Sequence, residues 1–140
     1  MPRLVKGGKF VYGWSRVGER GSIAVLPAAA AEYRLRTGDP VVLIPGSRTS
    51  GGFGVARLQA LRRSRLAAVL RDGPGGTRSC FRTVLDEKGL NVPAAVLARF
   101  GVRPGARLLL VRGSGLALGF IVRGPLVEEA ARHPDLESLG

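Results

Sequence analysis

The sequence is short of the residues that build reactive centres: its 140 residues include one cysteine, Cys80, and one histidine, His133. A lone cysteine closes no internal disulfide, and one histidine beside it makes no ligand set of the usual zinc spacing, so neither a metal nor a cofactor is expected. Nucleophile–base chemistry has as little to draw on. His133 precedes a proline in an acidic tail, and Cys80 lies next to Phe81 on an expected strand, where it reads as a small hydrophobe. Asp86 and Glu87 are adjacent carboxylates, but neighbours in a turn point apart and nothing takes them out of water. An enzyme is not expected, and no small-molecule substrate is evident.

Long apolar runs are missing too. No stretch approaches the roughly 18 residues that a membrane helix needs. The segment Met1 to Lys9 is basic without an apolar run behind it, so neither a membrane span nor a secretory leader is expected, and the cytoplasm is the expected compartment. Acids are the third shortage: 10 Asp plus Glu face 22 Lys plus Arg, for a formal net charge of +12. An excess of that size favours polyanionic partners. It is also uneven, with arginines concentrated in residues 57 to 82 and acids in residues 124 to 140.

What the sequence does have is an internal repeat, which decides the architecture before local patterns do. In the first copy Ile23-Ala24-Val25-Leu26 runs into Pro27, followed by an alanine-rich segment, Gly38, Val41-Val42-Leu43-Ile44, Gly46-Ser47 and Gly52-Phe53. Pro93, Gly105, Leu108-Leu109-Leu110-Val111, Gly113-Ser114 and Gly119-Phe120 repeat those marks in the same order and at a near-constant offset. Two copies at so long a period point to a pseudo-twofold body instead of a solenoid. Four segments follow: a first unit over 1–57, a basic helix and Gly/Pro-rich linker over 58–79, a second unit over 80–123, and an acidic helix and tail over 124–140.

Each copy reads as strand, turn, strand, short helix, strand, hairpin, strand. Phe10 to Val17 and Phe81 to Leu85 open the copies, and Glu19-Arg20-Gly21 and Asp86-Glu87-Lys88-Gly89 are polar turns ending in glycine. Helices are expected after Pro27 and Pro93, over Leu58 to Leu70, and after Pro125. The apolar runs at Val41–Ile44 and Leu108–Val111 lack polar alternation, so both faces of those strands must be covered. Because a unit of this size covers two faces with difficulty, the copies are expected to clasp one another or copies in a second chain, and with the apolar loop Leu116 to Leu118 a homodimer is expected. Phe10, Tyr12 and Trp14 alternate along the opening strand as core or interface residues in preference to base-stacking ones. The loop Gly46 to Gly52 is the one segment suited to cradle a phosphate, although it lacks the P-loop lysine pattern.

Val17-Gly18-Glu19-Arg20-Gly21, Ile23 to Pro27, Gly38-Asp39 and Val41 to Ile44, with Leu85 to Gly89, Val92-Pro93, Gly105 and Leu108 to Val111 in the second copy, resemble the AbrB and SpoVT family of bacterial regulators. The resemblance implies a mainly β fold with short helices (α+β), in which two AbrB-like swapped-hairpin β-barrel units form an interlaced pseudo-twofold barrel. It also implies a transcriptional regulator that binds double-stranded DNA through basic residues near the first turn and helix of each repeat. Carried over by position, those residues are Arg16, Arg20, Arg34, Arg82, Lys88 and Arg99. The family's basic residue after the turn glycine is absent, that position being Ser22 in one copy and Leu90 in the other. The alternative from another class is a protein-binding adaptor or assembly module built on the swapped-hairpin surface; an RNA-binding role is a third.

Overall fold

The computed structural model describes residues 11–64, 80–113 and 116–139. Phe10, the expected helical stretch 65–70 with the linker beyond it, and Ser114-Gly115 lie outside them. Each copy folds in the same order. The first gives β1 (Val11–Arg16), β2 (Ser22–Ile23), α1 (Pro27–Tyr33), β3 (Pro40–Pro45), β4 (Phe53–Arg57) and α2 (Leu58–Arg62). The second gives β5 (Phe81–Val84), β6 (Leu90–Asn91), α3 (Ala94–Arg99), β7 (Arg107–Arg112), β8 (Leu118–Ile121) and α4 (Pro125–Ala130), and then one further strand, β9 (Glu137–Leu139). The chain is thus mainly β with a few short helices. Among the described residues no helix is long and apolar enough to cross a membrane.

Outside the two hairpins, the paired strands belong to different copies. Strand β1 runs antiparallel to β7, β5 to β3, β2 to β6 and β4 to β8; the hairpins β3–β4 and β7–β8 are internal to a copy. The result is a seven-stranded sheet in the order β5-β3-β4-β8-β7-β1-β9 with a two-stranded β2–β6 ribbon. The two copies cross at that ribbon. Gly21 and Gly89 hold positive φ there, and a Cβ on Gly21 would strike the Val92 carbonyl, as one on Gly89 would strike that of Ile23. The two edge strands of this order are β5 and β9, and among the described residues no ladder joins them. Strand β9 adds parallel to the outer edge of β1, with Trp14 opposite Ser138.

The unbroken apolar runs bury both faces, as expected. Val41 and Leu43 of β3, and Leu108 and Leu110 of β7, enter the central core with Phe53, Phe120 and Leu97. Their neighbours face the other way: Val42 packs with Ala56 and Leu61 of α2, and Leu109 and Val111 with Val11, Trp14 and Ala130 of α4. The helix that trails each copy covers the outer face of part of the sheet. The apolar runs of β3 and β7 therefore find cover on both faces within one chain.

Strand β1 departs from simple alternation. Its register with β7 shifts between Val11 and Gly13, and this bulge sends Tyr12 (1% exposed) into the central core and Trp14 (6%) to the α4 side. Both rings are core residues, and neither is available to stack on a base.

Candidate nucleic-acid interface

The C-terminal end of β1 and the start of β7 carry opposed cations, because the register sets Arg16 directly across from Arg107. Like charges facing each other across a ladder are unfavourable. Each is held apart from the other by a local contact: Arg16 Nη1 donates to the Gly105 carbonyl (2.8 Å), and the Arg107 guanidinium lies 4.0 Å from the centroid of the Trp14 ring. Two turns extend the same end. The Gly18–Gly21 turn, closed by Gly21 N to Gly18 O, carries Arg20, with the exposed Glu19 before it, onward from β1. The turn before β7, closed by Ala106 N to Arg103 O, carries Arg103. Val17 N to Ala106 O (2.8 Å) and Gly105 N to Val17 O (2.7 Å) tie these turns together. Arg16, Arg20, Arg103 and Arg107 are all exposed, and among the described residues none forms an ion pair with a carboxylate.

The related end of the molecule has the same backbone and a different charge. Gly38 N to Leu85 O and Leu85 N to Asp39 O repeat the ties just described. Here, however, Arg36 and Lys88 are mixed with Asp39, Asp86 and Glu87. Asp39 accepts the Arg36 amide, and Asp86 accepts the Lys88 amide and the Asn91 side chain, so these carboxylates shape the turn.

The structure brings together two of the six residues expected from the sequence, Arg16 and Arg20. Lys88 sits in the mixed turn. Arg82 lies on β5 opposite Val42, which makes Trp14, not Arg16, its counterpart in the first copy. Arg34 follows α1 and lines a separate concavity, and Arg99 ends α3 beside Phe100, whose carbonyl accepts the Gly52 amide. Sequence reasoning missed Arg103 and Arg107. The signal was present, since both flank the repeat glycine Gly105, but only crosswise pairing carries that glycine to the turn of the other copy.

The Gly46–Gly52 loop uses its amides internally. Gly46 N bonds to Gly52 O, Ser50 N to Ser47 Oγ and Gly51 N to Ser47 O. The Arg123 guanidinium donates to the Arg48 carbonyl (3.0 Å), fastening the loop to the end of β8. Those amides are not turned toward a phosphate.

On the far side of β1, Tyr12 donates its hydroxyl to Glu32, whose other oxygen pairs with Arg112 Nε at 2.9 Å. Burial and this carboxylate both hold the Tyr12 phenol well above its ordinary pKa, and burial raises that of Tyr33. This cluster anchors α1 to β1 and β7. No family model, curated protein or solved structure matches this chain.

Proposed function

We propose that this chain is a duplex-DNA-binding transcriptional regulator in which two AbrB-like swapped-hairpin copies act as an internal pseudo-dimer, with the β1–β7 end as its phosphate-binding face. The observation that carries the reading is the facing pair Arg16 and Arg107, flanked by Arg20 and Arg103 and without a carboxylate partner among the described residues. A repulsive arrangement of this kind is relieved by a polyanion, and the net charge of +12 draws one in. Pairing of each opening strand with the other copy is what a swapped-hairpin arrangement requires, which supports the resemblance. Phosphate contacts set the register on the duplex, and specificity then comes largely from DNA shape.

The test is the salt dependence of duplex binding. Log affinity should fall with log salt at a slope of about −0.9 per neutralised phosphate. Replacing Arg16, Arg20, Arg103 and Arg107 together by alanine should reduce the magnitude of that slope by roughly three to four. An unchanged slope places the binding face elsewhere; no duplex binding at low salt ends the regulator reading.

A further inference from the structure

Among the described residues Arg34 is the one non-glycine residue with a positive φ, at φ 55° and ψ 40°. The second copy makes the same helix exit. Leu35 N returns to Ala30 O and Val102 N to Leu97 O, so the residue before each, Arg34 or Gly101, is the left-handed step. In the second copy that residue is glycine, at φ 72°. A side chain in this conformation strains the backbone, and the fold's own repeat shows that glycine suffices. What arginine adds at Arg34 must therefore lie in its side chain. That side chain is exposed, and among the described residues no ion pair with a carboxylate accounts for it.

Arg34 instead lines a concavity of about 190 Å³, together with Tyr33, Arg57, Val55 and Leu116. Glu32 is also on its wall, but its carboxylate is engaged by Tyr12 and Arg112, which leaves the two arginines as the uncompensated charge. Tyr33 is fixed there by a hydrogen bond to the Gly113 backbone. The volume is below the roughly 300 Å³ from which sites for whole drug-sized molecules begin, so it suits a single anionic group. Guanidinium forks pair bidentately with phosphate oxygens, and two of them offset the charge of one phosphate group.

We propose that Arg34 and Arg57 form a phosphate-binding pocket, separate from the β1–β7 face, that takes one phosphate group. The strained arginine is retained because it reaches that phosphate. Calorimetric titration of the full chain with inorganic phosphate, at constant ionic strength in a zwitterionic buffer, should give saturable binding at one site. Arg34→Gly and Arg57→Ala should each weaken it about tenfold, the loss expected for a charge-assisted hydrogen bond, while Arg34→Gly leaves the melting temperature unchanged or raised. The same variants assayed on duplex DNA identify the source. Loss of duplex affinity, with inorganic phosphate competing, makes the ligand a backbone phosphate; unchanged duplex affinity makes it a free phosphorylated small molecule. Absence of saturable phosphate binding, or wild-type affinity in both variants, overturns the proposal. Neither result bears on the four arginines of the β1–β7 face, whose duplex binding is read by their own substitution.

Discussion

At the scale of single residues, the informative positions are those where the chain departs from the cheapest choice. Ser15 is wholly buried, lies opposite Leu108 and Leu139, and its hydroxyl finds no partner among the described residues. A buried hydroxyl left unpaired forfeits its hydration, so Ser15→Ala should stabilise the protein by about 1 kcal/mol, read as a higher denaturant midpoint at unchanged slope; a lower midpoint would mean that the hydroxyl has a partner. The tyrosines give a pH prediction. Both phenols titrate above their ordinary value when folded, so the folded state binds the protons more tightly than the unfolded one. This contribution is fully present below about pH 10 and is lost as pH rises through the higher folded values. Phenolate absorbance should rise at higher pH in the folded protein than in denaturant; coincident titration curves would contradict it. Arg16 and Arg20 were legible in the sequence because they sit beside a recognisable turn. Arg103 and Arg107 were not, because their proximity to that turn exists only once the copies have exchanged strands.

Elements were legible wherever pattern and punctuation agreed. Pro27 and Pro93 mark the starts of α1 and α3, and the glycine-ended turns fall between β1 and β2 and between β5 and β6. The runs at Val41–Ile44 and Leu108–Val111 announced burial on both faces but not by what, since nothing local says that α2 and α4 lie over the sheet. The bulge in β1 was equally hidden: Tyr12 and Trp14 stand two apart and look like one face until the register shift separates them. The trailing helices give the prediction at this scale. Leu61 is fully buried against Val42 and Ala56, so Leu61→Ala should cost about 2–5 kcal/mol in chemical denaturation. A cost below 1 kcal/mol would show that α2 is dispensable to the outer face of β3 and β4.

For the whole molecule, the repeat foretold the duplication but left open whether its copies clasp each other or a second chain, whereas the parallel addition of β9 had no marker in an acidic tail that reads as helix and loop. Because β1–β7, β3–β5, β2–β6 and β4–β8 all join the two copies, a nick at Gly73–Pro74 should leave fragments that co-elute and unfold together. Either fragment alone should be unfolded by circular dichroism; a folded, monomeric first fragment would show the copies to be independent. The same interlacing governs how the protein is made. Trp14 must wait for Leu109, its partner on β7, to be synthesised before β1 can pair. At about 5–20 residues per second, this is a delay of roughly 5 to 20 s in which an apolar strand hangs unpaired outside the ribosome. Contacts so distant along the chain also slow the folding that follows. The nascent first copy is thus a client for whatever shields exposed strands, and the chain escapes that dependence only when its second half has emerged.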